Sequence, residues 1–178
     1  NGRAAAVDPT DSLAKAPFLV VAELTGTAAQ GRILTAAPLE ETEALAMFTN
    51  RIITQEEVSF DPVAASLRAR RIKRLDAIIL ASDPLPIPPG TDSAAMLADG
   101  VARLGIHRLA FSKAQKQWRD RIAFLHAAEG EDWPDVSDAG LAASVQDWLA
   151  PFVGGITALS GITPDVLGDA LASLLPHT

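Results

Sequence analysis

The chain of 178 residues contains no cysteine and no long uninterrupted apolar segment. Without cysteine, the chain cannot form a disulfide, a zinc–thiolate centre or a thiol nucleophile. No apolar run approaches the roughly 20 residues that a bilayer-spanning helix requires. The first residues also lack the pattern of a signal peptide. We therefore expect a soluble, cytoplasmic protein that has no membrane partner.

Motifs for phosphate binding and nucleophilic catalysis are missing as well. No segment matches the phosphate-loop pattern GxxxxGK[ST] or the dinucleotide pattern GxGxxG. No segment matches the GxSxG turn of serine hydrolases. None of the three histidines belongs to a metal-binding pattern such as HExxH. The sequence therefore predicts no catalytic residue, no metal site and no cofactor within this chain.

Positive charge is scarce overall but concentrated in one segment. The net charge is −7 and the isoelectric point is about 4.9, so nucleic acid cannot be bound over the whole surface. Against this background, residues 66–82 read SLRARRIKRLDAIILAS, which is basic at one end and apolar at the other. Such a concentration predicts contact with a polyanion or an acidic neighbour. The basic residues of this run are Arg68, Arg70, Arg71, Lys73 and Arg74.

The first half of the chain has the composition of β-strands. Strands are predicted at residues 18–24, 31–36, 52–60 and 67–80, with a leading strand at residues 2–7. Residues 39–48 between them consist of strong helix formers with acids in the first turn. This order of three strands, a helix and two strands is that of an OB-fold, a five-stranded barrel. We therefore predict an OB-fold-like domain over residues 1–89.

The second half of the chain has helical periodicity. Residues 84–90 hold four prolines, which predicts a linker without helix or inner strand. A helix is predicted for residues 92–104, and three more begin at the capping residues Ser112, Ser137 and Thr163. We therefore predict a helical domain over residues 90–178, a bundle of about four short helices. The fold class is α+β.

The basic run also has an interpretation without a ligand. Asp61–Pro62 is a turn signal, so the last two strands are expected to form a hairpin. In the predicted register, Glu56 lies opposite Arg71 and Glu57 lies opposite Arg70. Each such pair contributes about 0.2–1 kcal/mol and neutralises one arginine within the sheet. The other basic residues of the run remain unexplained by this register.

Two further clusters of charge lie in the second half of the chain. Six basic residues and one acid lie between residues 103 and 121, where Lys113 and Lys116 share a helix face. This face is either a second contact for phosphates or an ordinary solvated surface. Five carboxylates lie between Glu129 and Asp138, and their position between helices favours a solvated loop over acid–base chemistry.

Several passages resemble the HrpB family of bacterial DEAH-type ATP-dependent helicases. They are FLVVAEL at 18–24, RILTAAPL at 32–39, residues 56–75, and EDWPDVSDAGL with DWLAPF between 131 and 152. The last pair is the most specific. The resemblance spans almost the whole chain and places it in the carboxy-terminal half of such a helicase, after the motor and ratchet-type domains. The way the chain starts and ends is what we expect of a fragment.

The resemblance implies a parent enzyme that hydrolyses ATP with magnesium and remodels RNA. The catalytic motifs of the family match no position here, so this fragment is not expected to be an enzyme. In related helicases an OB-fold beside the motor contacts the nucleic-acid strand. We therefore predict an accessory module that grips the phosphates of RNA, rather than DNA, through Arg68, Arg70, Arg71, Lys73, Arg74, Lys113 and Lys116. The alternative is a docking module that packs on its own motor domains or on a partner protein; no feature predicts an independent enzyme.

Overall fold

A computed structural model describes residues 4–27 and 30–175 and confirms the α+β class. The chain forms two compact units. The β unit comprises Asn1–Glu56 and Arg71–Asp83, and the helical unit comprises Glu57–Arg70 and Pro84–Thr178. The chain therefore passes from the β unit to the helical unit and back before its helical half begins. The predicted division at residues 89 and 90 stays a prediction.

The first sheet contains three strands in the order β1-β3-β2. β2 and β3 are antiparallel, and β1 is parallel to β3. Gly26 ends β2 with a φ of +98°, and a Cβ atom there would lie 2.3 Å from the carbonyl oxygen of Gln30. Only glycine fits this turn. The strands are β1 (Ala5–Ala6), β2 (Phe18–Gly26) and β3 (Gly31–Leu39). The first two residues of the leading strand predicted at 2–7 lie outside the described residues.

The second sheet has the order β4-β5-β6. The single strand predicted at 67–80 is wrong, because Asp76 adopts a φ of +51° and turns the chain between two strands. Aspartate tolerates this left-handed conformation better than most residues. The predicted linker begins later than expected, since Pro84 still belongs to an edge strand, where a missing N–H is tolerated. The strands are β4 (Ile52–Asp61), β5 (Ser66–Leu75) and β6 (Ile78–Leu85).

A helix lies between the two sheets in sequence, as predicted. This helix, α1, comprises Glu41–Met47 and carries two acids in its first turn, where the helix dipole favours them. Within residues 4–27 and 30–175 the two sheets are open, and they do not join into a closed barrel. The α+β class is thus confirmed, whereas the five-stranded barrel is not.

The four helices predicted for the second half are present. The predicted caps at Ser112, Ser137 and Thr163 each accept a hydrogen bond from a backbone N–H of the first turn. The third helix is interrupted, because Ser144 leaves helical geometry and its Oγ donates to the carbonyl oxygen of Gly140. In the described part of the chain, no helix combines the length and apolar character needed to cross a membrane. The helices are α2 (Thr91–Leu104), α3 (Lys113–Glu129), α4 (Asp138–Ala143), α5 (Val145–Trp148) and α6 (Pro164–Ala172).

The helical unit has a well-packed apolar core. Trp148 and Leu97 are fully buried in it, and the indole N–H of Trp148 donates to the carbonyl oxygen of Leu141 at 2.8 Å. Leu67 of β5 belongs to the same core, and its backbone N–H donates to the carbonyl oxygen of Thr157 at 2.7 Å. The tip of the β4–β5 hairpin is therefore fixed by the helical unit.

Candidate nucleic-acid interface

The basic run forms most of β5, and the two-residue period of a strand sorts its side chains. Leu67 and Ala69 are buried, whereas Arg68 and Arg70 between and after them are exposed. This alternation explains why apolar and basic residues are interleaved here: one set packs into the core while the other faces solvent. The sequence therefore places two arginines on the outer face of the helical unit.

The alternation of buried and exposed side chains is interrupted at Arg71. Arg71 is also exposed, and Ile72 is buried. The change occurs at the point where the chain passes from the helical unit to the β unit. Lys73 and Arg74, which follow, are half-buried. The predicted basic run is thus exposed at Arg68, Arg70 and Arg71 and partly covered beyond them.

Arg68 is held by an acid at the hairpin turn. Its Nε lies 2.7 Å from Oδ2 of Asp61, and the two side chains are 48% and 21% exposed. The backbone N–H groups of Ala64 and Val63 donate to the same carboxylate and lower its pKa, and Arg68 and Arg70 contribute in the same direction. Asp61 therefore remains ionised at neutral pH. Its carboxylate holds the guanidinium group of Arg68 through the Nε contact.

Arg71 forms the ion pair that the hairpin register predicts. Its Nη2 and Nε donate to Oε1 of Glu56 at 2.9 and 3.2 Å, and the two side chains are 52% and 63% exposed. This observation confirms the predicted partner of Arg71. An exposed ion pair contributes only about 0.2–1 kcal/mol. A phosphate group can therefore replace the carboxylate at little cost.

The second predicted basic site lies in the first turns of α3. Lys113 and Lys116 are both exposed, and a capping box between Ser112 and Gln115 fixes the start of the helix. Arg119, one turn further, has a different role, because its guanidinium donates to the carbonyl oxygen of Val136 and to Asp138. Two lysines on this helix therefore remain available to an anion.

Three of the carboxylates between the helices, Glu129, Asp135 and Asp138, have structural partners. Asp138 accepts from Arg119 at 2.6 Å, and Glu129 accepts from the indole N–H of Trp133 at the same distance. Hydrogen bonds from Ser137 lower the pKa of Asp135. These contacts favour the interpretation as a loop with helix caps over acid–base chemistry. In the described ranges, no group of three or more His, Asp or Glu side chains is placed to hold a metal ion.

The β unit exposes large apolar side chains, which the sequence did not predict. The continuous apolar run FLVVAEL indicates a buried strand, yet Val20 and Leu24 within it are 53% and 50% exposed. No property of the run itself signals this exposure. The other large apolar residues exposed in this unit include Val21, Leu34, Met47, Ile53, Ile78 and Ile79.

Sequence comparison relates this chain to a known helicase. No protein-family model matches the chain. Over 180 aligned positions, the chain is 27% identical to the ATP-dependent RNA helicase HrpB of Escherichia coli strain K12; the match covers 98% of this chain and 22% of that protein. The resemblance to an HrpB helicase predicted from the sequence is therefore confirmed, and it extends along nearly the whole chain.

Two solved structures of Escherichia coli HrpB also match. One is called a DExH-box NTPase and has 25% identity and a TM-score of 0.46; the other is called a DEAH/RHA helicase and has 23% identity and a TM-score of 0.48. Each match covers 97% of this chain and 22% of the solved chain. The chain thus spans about a fifth of the length of the helicases that it resembles.

Proposed function

We propose that this chain is a non-catalytic accessory region of an HrpB-like, cytoplasmic ATP-dependent helicase. In this proposal it holds the phosphates of RNA while motor domains outside the described sequence hydrolyse ATP with magnesium. The observation that carries the proposal is the exposed arginine set of β5, Arg68, Arg70 and Arg71. The name of the similar helicase specifies RNA, which favours RNA over DNA as the ligand.

The acids beside these arginines support phosphate binding rather than oppose it. Asp61 and Glu56 hold Arg68 and Arg71 in defined positions, and only the pair of Glu56 and Arg71 is more than half exposed on both sides. Because exposed pairs are weak, an RNA phosphate can take the place of Glu56 at Arg71, whereas Arg68 keeps its Nε contact with Asp61 and binds phosphate through its other N–H groups. Guanidinium groups bind phosphate through paired hydrogen bonds, so their prior orientation lowers the entropy lost on binding.

The remaining predicted residues contribute at the edges of this site. Lys113 and Lys116 supply two exposed charges on α3, whereas Lys73 and Arg74 are half-buried on β5. We expect all four to contribute less than the three exposed arginines. The strand and helix order, which is that of an OB-fold, supports a role beside a nucleic-acid strand.

The test uses two variants with the same change in charge. Arg68→Ala/Arg70→Ala/Arg71→Ala removes the proposed contact, and Lys15→Ala/Arg103→Ala/Arg108→Ala removes three exposed charges elsewhere. Binding of a single-stranded RNA oligonucleotide is measured at low salt by fluorescence anisotropy. We expect the first variant to lose at least about tenfold in affinity and the control to lose less than about threefold. Equal losses would show that overall charge, and not β5, governs binding.

A second candidate function is docking on protein, either on the motor domains or on a partner. The exposed apolar side chains of the β unit favour it, since an exposed apolar patch often marks a protein interface. The test is calorimetry of this chain against the isolated motor region of an HrpB helicase at about 0.5 M salt, where exposed charge contacts are screened. Absence of binding under these conditions removes docking on the motor.

A further inference from the structure

A cleft in the helical unit is lined by α3 and by the segments that precede and follow this helix. Its volume is about 500 Å³, which lies in the range of small-ligand sites. All of its wall residues belong to the helical unit, so the cleft is complete within one compact unit. We call it the α3 cleft. The charged and aromatic members of its wall are His107, Phe111, Lys116, Arg119, Asp120 and Asp138.

Arg119 forms a flat and fixed part of the cleft wall. Its Cζ lies 4.9 Å from the ring centroid of Phe111, a side chain that is itself buried. Its Nε and Nη2 donate to the carbonyl oxygen of Val136 at 3.0 and 2.8 Å, and Nη2 also donates to Oδ1 of Asp138 at 2.6 Å. The side chain is 16% exposed. The parts of the guanidinium left for a ligand are therefore the face turned away from Phe111 and the Nη1 end.

Two side chains of opposite charge stand beside Arg119 on α3. Lys116 and Asp120 are one helical turn apart, and both are exposed and line the cleft. Among the residues that the structure describes, neither takes part in an ion pair or a side-chain hydrogen bond. Asp138 differs, since Arg119 donates to its Oδ1 and Nδ1 of His107 lies 4.0 Å from its Oδ2. The cleft thus offers a cation and a carboxylate that the chain itself does not use.

The charges of the wall disfavour a ligand with a single kind of ionic group. Lys116 and Arg119 repel a basic group, whereas Asp120 and Asp138 repel an acidic one, and with neutral histidine the wall has no net charge. An acidic or basic side chain of a protein therefore matches only half of the wall. A nucleotide matches all of it, because it carries an anionic phosphate, a flat ring and N–H donors on the edge of its base.

We propose that the α3 cleft binds one unpaired nucleotide of RNA and favours guanine. The base stacks on the free face of the Arg119 guanidinium, as bases of single-stranded RNA do on arginine planes. Its N1–H and N2–H groups donate to the two carboxylate oxygens of Asp120, and Lys116 pairs with the phosphate. Uracil presents one N–H donor between two carbonyl oxygens, which the carboxylate repels. The inference rests on the proposed RNA-binding function and adds base recognition to the phosphate contacts of β5.

Two RNA decamers test this inference: a strand of uridines alone, and the same strand with one central guanosine. Their affinities are measured by fluorescence anisotropy at low salt. We expect the strand with guanosine to bind at least about fivefold more tightly, because a side chain that pairs with two groups of a base discriminates between bases. Asp120→Ala is expected to reduce this ratio to less than about twofold. The matched control Asp147→Ala, which changes an exposed acid of the same unit outside the cleft, should leave the ratio unchanged.

The ratio of two affinities separates base recognition from general RNA binding. Arg68→Ala/Arg70→Ala/Arg71→Ala and Lys116→Gln are each expected to weaken both strands equally and to preserve the ratio. A ratio near one in the unaltered chain would overturn this inference and leave the RNA proposal standing. A ratio that persists in Asp120→Ala, with circular dichroism showing a folded protein, would do the same. A preserved ratio with no loss of affinity in the triple arginine variant would instead contradict the β5 contact and support the cleft.

A second measurement locates the ligand and separates RNA from a free nucleotide. Guanosine monophosphate is titrated to about 5 mM into the ¹⁵N-labelled chain, since one nucleotide is expected to bind with a dissociation constant of roughly 1 mM. We expect concentration-dependent amide shifts in residues 116–123 and 136–138, and smaller ones with uridine monophosphate. Absence of shifts in these segments would overturn the site. Shifts there, combined with equal binding of the two decamers, would assign the cleft to a free nucleotide and contradict its role in RNA binding.

Discussion

The helical unit and the β unit differ in how they use their apolar residues. Among the described residues, all the buried apolar side chains except Ala44 and Ile72 lie in the helical unit. The exposed large apolar side chains show the reverse, since all except Val63 and Phe124 lie in the β unit. The helical unit therefore has an apolar core of its own, whereas most large apolar side chains of the β unit remain exposed to solvent.

The hairpin of β4 and β5 belongs to both units, and this determines where the basic run becomes accessible. Leu67 anchors the strand in the helical core, and Ile72 is buried within the β unit. Between these two anchors lie the exposed arginines. The arginines thus lie within a regular strand whose flanking apolar residues are buried.

The two units are expected to differ most in the free energy of unfolding that is lost when a leucine is replaced by alanine. Leu97→Ala removes a fully buried side chain of the helical core and should cost about 2–5 kcal/mol. The matched change Leu24→Ala in the β unit removes an exposed leucine and should cost less than about 0.5 kcal/mol. Urea unfolding followed by far-UV circular dichroism, to which both units contribute, measures both. A loss of more than 2 kcal/mol in Leu24→Ala would mean that the β unit has a core of its own.

Much of the helical unit could be predicted from sequence because its signals are local. Ser112 and Gln115 are three residues apart, and the capping box that they form needs only that spacing. The pairing of Glu56 with Arg71 could be predicted for the same reason, since a short turn fixes the register of a hairpin. Both interactions depend on a local signal, a capping spacing in the first case and a turn in the second.

The features that could not be predicted have either a weak local signal or depend on distant parts of the chain. Asp76 splits the predicted long strand, and its left-handed backbone has only a weak sequence signal. Closure of a barrel requires pairing between strands far apart in sequence, which composition does not determine. The exposure of Val20 and Leu24 likewise depends on which elements fail to cover β2, and no property of the run FLVVAEL reveals this.

A smaller effect is expected at the start of α3. Ser112→Ala removes the side chain that caps the helix and should destabilise the helical unit by about 1 kcal/mol. The same urea experiment, followed by tryptophan fluorescence, measures this loss. Asp11→Ala, the corresponding cap of a short 3₁₀ segment in the β unit, should leave the tryptophan transition unchanged. A shift in that control would show that the two units unfold together.

The smallest expected effect concerns acid stability. The pKa of Asp61 is lower in the folded chain than in the unfolded one, so its contribution is present above the unfolded pKa, near 4, and is lost as pH falls through the folded pKa. Asp61→Asn should therefore reduce the slope of stability against pH below about pH 4. Thermal unfolding between pH 2 and pH 6 tests this, and an unaltered slope would contradict it.

The salt dependence of RNA binding tests the central claim most directly. For single strands, each phosphate contact contributes about 0.7 to the slope of log affinity against log salt concentration. If Arg68, Arg70 and Arg71 each contact a phosphate, replacing all three with alanine should make this slope shallower by about 2. An unchanged slope, with RNA still bound, would show that these arginines do not contact the RNA backbone.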